Sequence, residues 1–460
     1  MKDSSCLSRP LQYYCTAGKG MEQFLAAEVK CKLAANDVDV IMGKVFFTTS
    51  ADIKQVRGLK SAERLFLLLR RGPSLSQTGN TGTVEELIQG LVVGQRRVWT
   101  EGLSQWQSLR ERLEGADPGG PDRNSPKTGR KRKREEGEDE GDGERSEPQA
   151  GACRVGPPSS EEGDISKPQP APVPFRVCCR SSGSVARSFT CQDLGRIIGT
   201  AISRQLGWRV NLRDPELEVS VHLSDDHCVI GLPLLRLPLA NRSYIRTTGL
   251  RSTVAWAMAT LAEIKPGSYV LDPMCGVGMI LLEAAKECPN SFFLGMDIDG
   301  SQLGKARGNV QYAELAERVE LMQSSVTAIP VPSCSVDAVI CDIPFGKKFG
   351  SKADMEEALP GMVGEMERVL CFGGALVLLL SPALSSVLKR SFGPQSGVLS
   401  SQPGEPPPQP LPQDTAAPPS HSASPSSSPL RLQSVHRVSL GTADALIHTY
   451  RKVPPMQQPS

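Results

Sequence analysis

Apolar and polar positions follow two different patterns along this 460-residue chain. Up to about residue 232, short β-branched runs alternate with amphipathic stretches, which predicts small α+β units. From about residue 247, helical stretches separate short continuous apolar runs at 269–271, 292–296, 338–340 and 375–380. Such runs predict strands that are buried on both faces, as in a mostly parallel sheet covered by helices.

The first unit is predicted to contain a strand, a helix, a hairpin and a second helix. Residues 21–33 have helical spacing of apolar positions, and two β-branched runs flank Met42-Gly43, which predicts the hairpin. Residues 61–70 are predicted to form the second helix. This order is typical of a ferredoxin-like fold, and we expect it to form an N-terminal domain within residues 1–114.

The second unit is predicted to be another α+β module, over residues 173–240. Residues 175–179 suit a strand, and Thr190 precedes an apolar stripe that predicts a capped amphipathic helix. Residues 216–223 alternate strictly between polar and apolar. We therefore expect a strand there, paired with residues 227–231.

The third unit, over residues 241–455, is predicted to be a Rossmann-like α/β domain. Its last apolar segments, 435–440 and 445–450, surround Gly441-Thr442 and predict an antiparallel hairpin at one end of the sheet. The predicted fold class is therefore a mostly parallel α/β domain preceded by two α+β modules.

Two segments lack apolar periodicity and are predicted to be disordered. Residues 115–172 are rich in Gly, Pro, Ser and charge, and residues 393–429 are mostly Pro, Ser and Gln. The first segment contains the basic run 130–134, which is typical of a nuclear import signal. We expect the protein in the nucleoplasm, with the cytoplasm as a second location. A charge run that only keeps the linker solvated is the alternative.

Composition narrows the classes of function. No run approaches about 18 consecutive apolar residues and no signal-peptide pattern opens the chain, which argues against membrane-spanning and secreted proteins. The thirteen cysteines form no C-x-x-C pair and the five histidines show no metal spacing, so we expect reduced thiols and no metal site. Residues 173–250 carry ten basic and six acidic residues, and all ten are arginines, which suits contact with phosphates.

A glycine-containing loop follows the first strand of the α/β domain, and its candidate cofactor-binding residues are Asp272, Pro273, Cys275, Gly276 and Gly278. Glycine there lets the backbone approach a ligand. Asp297 ends the next predicted strand, where a carboxylate can accept both ribose hydroxyls of a nucleotide-like ligand. No third glycine and no P-loop lysine follow, so we expect a nucleoside without a pyrophosphate. A tight turn with a buried aspartate cap is the alternative.

A second motif, Asp342-Ile343-Pro344-Phe345, follows the predicted strand 338–341. Ligands of an open α/β sheet lie beyond the carboxyl ends of its strands, so this motif should face the same crevice as the glycine loop. The Asp342 carboxylate and the Ile343 carbonyl can accept hydrogen bonds from a planar amino group, and the Phe345 ring can stack on the base. A strand-ending proline turn with a core phenylalanine is the alternative.

These motifs resemble those of class I amino-methyltransferases and, more narrowly, of THUMP-domain RNA guanosine N2-methyltransferases. The resemblance rests on residues 272–278, 297 and 342–345, together with Tyr244 and 250–253. It covers most of the chain outside the two low-complexity segments. It implies S-adenosyl-L-methionine as the cofactor, methyl transfer to guanosine N2, and a catalytic role for Asp342, Ile343, Pro344 and Phe345.

The resemblance also implies substrates and partners. It makes residues 173–240 a THUMP RNA-binding domain and the substrate a structured RNA, either U6 snRNA, with an influence on pre-mRNA splicing, or tRNA. It implies a heterodimer with a small zinc-binding methyltransferase activator subunit, which typically adds a strand to the catalytic sheet. Two positions depart from the family pattern: Ile343 stands where proline is common, and Ser325 where many members have an aspartate for the adenine amino group.

Three other functions fit parts of the pattern. Cytosine-C5 methyl transfer needs a cysteine nucleophile, but none follows Pro344, and we expect Cys275 and Cys341 to be small buried residues. Methylation of adenine N6 or of a glutamine amide would use the same motif on another planar amine. A non-catalytic RNA-binding adaptor with a methyltransferase fold would not need the carboxylates of Asp297 and Asp342.

Overall fold

The computed structural model describes residues 11–73, 86, 89–114, 172–344, 352–392 and 428–454. Most of the two low-complexity segments, the basic run 130–134 and Phe345 therefore lie outside the described residues. The described chain forms two sheets, one of eight strands and one of seven. None of the helices within these ranges has the length and apolar character that a membrane span needs.

The eight-stranded sheet uses both parts of the chain before residue 240. Its strands are β1 Leu11–Thr16, β2 Asn36–Ile41, β3 Lys44–Thr49, β4 Arg64–Gly72, β5 Pro174–Ser181, β6 Arg209–Val210, β7 Leu217–Leu223 and β8 Cys228–Pro233. The helices are α1 Glu22–Leu33, α2 Ile53–Arg57, α3 Arg96–Glu114, α4 Ser184–Ser188 and α5 Cys191–Leu206, with a π-helical turn at Gln89–Val93. The spatial order of the strands is β2-β3-β1-β4-β8-β7-β5-β6.

The two predicted α+β units share this sheet through the antiparallel pair β4–β8, in which Leu67 lies opposite Leu232. The prediction of a helix over residues 61–70 is wrong, because β4 occupies most of this range. Leu65 and Leu67 pack into the main core while Phe66 is buried on the opposite face. The leucine-rich sequence of this segment favours a helix by itself. Burial of both faces and hydrogen bonding along both edges make the segment more stable as a central strand.

Most other local elements predicted for this half are confirmed. The hairpin around Gly43 pairs β2 with β3, and Gly43 has φ 74°, which glycine adopts without strain. Thr190 caps α5, since its hydroxyl accepts a hydrogen bond from the Asp193 N–H at 3.1 Å. The alternating strand and its partner pair as β7 and β8.

Helices α1 to α5 all cover one face of the eight-stranded sheet. Their apolar residues, such as Leu25, Trp99 and Ile198, join strand residues such as Phe47 and Val219 in one core. The opposite face carries a small buried cluster of four side chains: Tyr14, Phe46, Phe66 and Val229. No residue of a described helix belongs to that cluster, so the two faces of the sheet have different environments.

The seven-stranded sheet forms the α/β half. Its strands are β9 Tyr269–Asp272, β10 Phe292–Asp297, β11 Val319–Gln323, β12 Val336–Asp342, β13 Leu370–Leu380, β14 Leu430–Leu440 and β15 Ala443–Lys452. The helices are α6 Ser252–Leu261, α7 Met279–Glu287, α8 Gly300–Tyr312, α9 Lys352–Val369 and α10 Pro382–Phe392. The order is β11-β10-β9-β12-β13-β15-β14.

The topology of this sheet positions the site. Strands β9 to β13 run parallel, and β15 and β14 are antiparallel, which confirms the predicted mostly parallel sheet with a terminal hairpin. β10 lies on one side of β9 and β12 on the other. The strand order therefore reverses at β9, and the loops that leave this point open a crevice at the carboxyl ends of the strands.

A buried polar cluster joins the two halves. Arg242 contacts Glu283 of α7 at 2.9 Å between Nε and Oε1, and the Tyr244 hydroxyl donates to the same carboxylate at 2.8 Å. Arg242 also donates to the carbonyls of Leu239 and Lys60, each at 2.6 Å. Because Lys60 belongs to the N-terminal part and Glu283 to the α/β half, this cluster holds the halves in one orientation.

Candidate active site

The carboxyl ends of the central parallel strands surround a cavity of about 680 Å³, a volume typical of small-molecule sites. Eight of the eleven predicted site residues lie in its wall: Asp272, Pro273, Cys275, Gly276, Asp297, Ser325, Asp342 and Pro344. Of the other three, Gly278 lies at the N-terminus of α7 beside the wall, Ile343 is fully buried, and Phe345 lies outside the described residues.

The glycine loop is anchored to the next strand. The Cys275 N–H donates to the Met296 carbonyl at 2.8 Å, and the Gly278 N–H donates to the Cys275 carbonyl at 2.7 Å. Gly276 and Gly278 have φ angles of 54° and 84°, which other residues adopt only at a cost. A Cβ on Gly276 would meet no atom within 4 Å, so the backbone conformation, rather than crowding, requires this glycine.

Asp297 holds the same loop and also borders the cavity. One carboxylate oxygen accepts from the Gly276 N–H and the other from the Asp299 N–H, both at 2.9 Å. Each oxygen of a carboxylate has a further acceptor position. The side chain can therefore keep both backbone bonds and still accept the two ribose hydroxyls that the sequence predicts.

The cavity wall is acidic. Burial raises the pKa of Asp272 well above its usual range, and repulsion from Asp342 and Asp297 adds to this effect. Burial also raises the pKa of Asp342 to about 7. Lys305 is the basic residue among the described residues of the wall. A cationic ligand such as a sulfonium would relieve this concentration of negative charge, so the wall fits S-adenosylmethionine.

Pairing with β13 holds the second motif in place. Asp342 lies opposite Leu379, and the Ile343 N–H donates to the Leu379 carbonyl at 3.1 Å. Proline, which is common at this position in related motifs, could not make that bond because it has no N–H. Ile343 therefore replaces the rigidity of a proline ring with a backbone hydrogen bond and a fully buried side chain, and it is not among the residues that line the cavity.

The cysteines near the site are poor nucleophiles. Cys275 and Cys341 are buried, as predicted, and burial raises the pKa of both thiols. A raised pKa disfavours the thiolate that cytosine-C5 methyl transfer requires. The site is therefore better suited to transfer onto a planar amine.

Ser325 lies in the wall two residues after β11, and its hydroxyl is already engaged. It hydrogen-bonds the Thr327 hydroxyl at 2.8 Å and accepts from the Thr327 N–H at 3.3 Å. The hydroxyl is thus partly committed to its own turn, which weakens the contact with an adenine amino group that we expect from this position.

The sequence did not predict several parts of the cavity wall, which also include Gln302 and Lys305 of α8. Residues 247–249, between the two halves, line the cavity, and so do Met355 and Met362 of α9. The methionines carry no chemical motif, since apolar residues at helical spacing indicate a core face. They add apolar surface to a wall that also carries carboxylates.

Asn309 of α8 holds the 247–249 segment against the glycine loop. Its buried amide accepts from the N–H groups of Arg246 and Thr247 at 3.1 and 2.8 Å, and donates to the carbonyls of Thr247 and Val277 at 2.8 and 2.9 Å. A lone asparagine within a helix carries no signal for such a role. Its partners lie 32 to 63 residues away in the chain.

Comparisons with known proteins agree with this geometry. Residues 240–391 match the family described as RMKL-like, methyltransferase domain, and residues 163–232 match the THUMP domain. The chain is 40% identical to U6 snRNA (guanine-N(2))-methyltransferase THUMPD2 of Bos taurus over 97% of each chain. It is 48% identical to the Homo sapiens protein of the same name, covering 80% of this chain and 78% of that relative.

The chain is also similar to a more distant relative and to two solved structures. The chain is 29% identical to tRNA (guanine(6)-N(2))-methyltransferase THUMP3 of Homo sapiens over 42% of this chain and 41% of the relative. TrmN from Thermus thermophilus matches with a TM-score of 0.60 at 20% identity, covering 96% of this chain and all of TrmN.

SMU.472, solved as a complex with SAH, matches with a TM-score of 0.61 at 13% identity over 98% of this chain and 100% of that chain. At these identities the solved structures show the fold, whereas the two THUMPD2 relatives extend over most of the chain at 40% identity or more. The protein therefore belongs to the THUMP-domain family of S-adenosylmethionine-dependent RNA guanine-N2-methyltransferases.

Proposed function

We propose that the protein methylates N2 of a guanosine in U6 snRNA. The proposal rests on one observation: the side chains of Asp297 and Asp342 line the same cavity. The chain that forms this cavity is 40% and 48% identical to U6 snRNA guanine-N2-methyltransferases over most of its length. The relative that acts on tRNA matches less than half of the chain, so U6 snRNA is the first substrate to test.

The residues of the cavity have distinct tasks in this reaction. S-adenosylmethionine supplies an electrophilic methyl group on a sulfonium sulfur. The Asp342 carboxylate accepts a hydrogen bond from the guanine amine, so that the nitrogen lone pair points at this methyl group. With the cofactor bound, the methyl group would pass from sulfur to the amine nitrogen, S-adenosylhomocysteine would be the leaving group, and Asp342 would accept the amine proton, which its pKa of about 7 permits near neutral pH. The target base must leave its stack to reach the cavity, and Phe345 is the predicted stacking partner.

The test is mass spectrometry of nucleosides from U6 snRNA incubated with the purified full chain, its activator subunit and cofactor. N2-methylguanosine is the expected product, and Asp342→Ala should abolish it while cofactor and RNA affinity stay near wild type. Asp214→Ala, an exposed aspartate in a loop of the other half, is the matched control. Methyladenosine as the product, or full turnover by Asp342→Ala, would contradict the proposed chemistry. A tRNA transcript in the same assay tests the alternative substrate.

We also propose that a small zinc-binding methyltransferase activator subunit adds a strand beside β11. Within the described residues, β11 is an end strand paired only with β10, and Met322 on it is 40% exposed. The other end strand, β14, is partly occupied, since the Ser439 N–H donates to the Lys19 carbonyl at 3.0 Å. A free strand edge is a template for pairing with another chain.

Co-purification tests this interface. Met322→Asp should reduce recovery of the activator subunit by placing a charge on the free edge. Met42→Asp, at a 79% exposed methionine in the hairpin of the other sheet, should leave recovery unchanged. Equal recovery with both variants would place the subunit elsewhere.

Nuclear import is the last part of the proposal. Alanine replacement of residues 130–134 should move a fluorescent fusion of the chain to the cytoplasm, because import receptors read exposed basic clusters. Replacement of the adjacent residues 135–139, four of which are acidic, is the control of equal length. If the fusion stays in the nucleus after removal of the basic run, the run is not an import signal and only keeps the linker solvated.

A further inference from the structure

The face of the eight-stranded sheet that lies opposite helices α1 to α5 is strongly concave. Lys44 lies on β3 and His222 on β7, with β1, β4 and β8 between these strands. In a flat sheet, strands four positions apart are separated by about 19 Å. Lys44 Nζ nevertheless lies 2.5 Å from His222 Nδ1. The sheet therefore curls until side chains from distant strands meet across its concave face.

The floor of this concave face is apolar and closed. The rings of Tyr14 and Phe66 stack with centroids 4.6 Å apart, and Phe46 lies beside Tyr14 at 5.6 Å. All three side chains are buried, so no ring of the floor is free to stack on a base. A ligand of this face must therefore contact the polar rim above the floor.

The rim carries both paired and unpaired cations. Two of its arginines are paired with acids; the pairs are Arg71–Asp39 and Arg176–Glu218. In contrast, Lys44 and Arg180 have no carboxylate partner among the described residues. Within the described residues, Lys44 Nζ has one side-chain hydrogen-bond partner, the His222 Nδ1 atom, and His227 Nε2 lies 3.3 Å from the same atom. Nitrogen groups thus meet here, and the Asp226 carboxylate acts on His227 at the edge of the cluster.

Burial and the neighbouring charges shift the pKa values of these groups. Burial and the nearby Arg180 charge lower the pKa of Lys44 to about 8. Burial, then Lys44 and His227, lower the pKa of His222 to about 4. Each shift means that another positive charge is unfavourable at this place. An anion bound at the rim would reverse that penalty.

We propose that the rim formed by Lys44, His222 and Arg180 is a phosphate-binding site for the backbone of the substrate RNA. This inference rests on the proposed function, which makes RNA the ligand. Phosphate is the anion that RNA presents at every nucleotide, and an exposed arginine can bind it through two N–H groups. Because the floor offers no exposed ring, the site positions the RNA backbone and does not read its sequence.

The test compares two arginines on opposite faces of the same sheet. Arg180→Gln removes an exposed cation of the rim, and Arg196→Gln removes an exposed cation of α5, which covers the other face. Binding of the full chain with its activator subunit is measured by fluorescence anisotropy over a series of salt concentrations. The probes are a U6 snRNA transcript and an unrelated RNA hairpin of equal length.

Arg180→Gln should weaken binding of both RNAs several-fold and by the same factor. It should also reduce the slope of log Kd against log salt by about 0.7–0.9, the effect of one lost phosphate contact. Arg196→Gln should keep the wild-type affinity and slope. Lys44→Met, with its melting temperature measured alongside, should act like Arg180→Gln; if it unfolds, the exposed Arg180 variant decides the question.

An unchanged slope in Arg180→Gln, or an equal loss in Arg196→Gln, would overturn the site. Loss of binding to U6 snRNA alone would also overturn it, because a backbone contact is indifferent to sequence. Affinity for S-adenosylhomocysteine should be the same in all variants. Wild-type protein that binds RNA with the expected salt dependence but forms no N2-methylguanosine would contradict the proposed function and leave this site standing.

Discussion

At the scale of single residues, the burial of Asp342 determines how the reaction depends on pH. Its carboxylate must be ionised to accept the amine hydrogen bond, and burial raises its pKa to about 7. The kcat/KM for RNA should therefore rise as the pH passes upward through about 7 and then level off. A pH profile measured with saturating cofactor checks this. A profile that is flat around pH 7 would show that the ionised form is not required.

Asp297 should control cofactor affinity. Asp297→Ala removes the acceptors predicted for the ribose hydroxyls and also frees the Gly276 N–H, which now donates at 2.9 Å. Leaving buried partners unpaired costs roughly 1–3 kcal/mol, about a tenfold loss in affinity for S-adenosylhomocysteine by calorimetry. Asp299→Ala is the control, because that carboxylate caps α8 through the Ser301 N–H and does not line the cavity. Equal affinity of both variants would show that the cofactor does not bind at Asp297.

At the scale of elements, one side chain of α8 holds a segment of the cavity wall. Asn309→Ala would leave the N–H groups of Arg246 and Thr247 and the carbonyl of Val277 without this partner. We expect a melting temperature lower by several degrees and weaker binding of S-adenosylhomocysteine, both read by thermal shift with and without ligand. Gln311→Ala, on the exposed side of the same helix, should change neither. A normal melting curve for Asn309→Ala would mean that the segment is held by other contacts.

At the scale of the whole molecule, the Arg242–Glu283 pair is the core of the cluster that joins the two halves through the Lys60 carbonyl. Both side chains are buried, so Glu283→Ala leaves an unpaired buried guanidinium and should lower the free energy of unfolding by about 3–5 kcal/mol. Glu287→Ala breaks the more exposed pair with Lys32 and should cost about 0–1 kcal/mol. Denaturant unfolding measures both.

A double variant separates charge from packing at this junction. Arg242→Met combined with Glu283→Leu removes both charges and should recover much of the stability that Glu283→Ala loses. RNA methylation by the double variant then reports whether the orientation of the halves matters for the reaction. If Glu283→Ala lowers the free energy of unfolding no more than Glu287→Ala does, the Arg242–Glu283 pair does not stabilise the junction.

Local patterns predicted much of this protein from its sequence. Period-two and continuous apolar runs identified most strands of both sheets, although not β4, β6 or β11. Thr190 marked a helix start, and the residues after β9, β10 and β12 marked the edge where the cavity lies. These features depend on neighbours within a few residues, so local sequence patterns are enough to predict them. The same patterns gave a wrong prediction for residues 61–70, because the pairing of β4 with β1 and β8 decides their conformation.

Tertiary structure alone decided the features that depend on distant partners. The two α+β units share one sheet because β4 meets β8, and the wall at residues 247–249 exists because Asn309 binds it. Lys44 and His222 are 178 residues apart, and only the curl of the sheet brings them together. Each of these contacts is a hydrogen bond between groups far apart in sequence, for which no local periodicity exists. The sequence by itself determined the strands and the chemistry at their ends, and folding determined which of those groups act together.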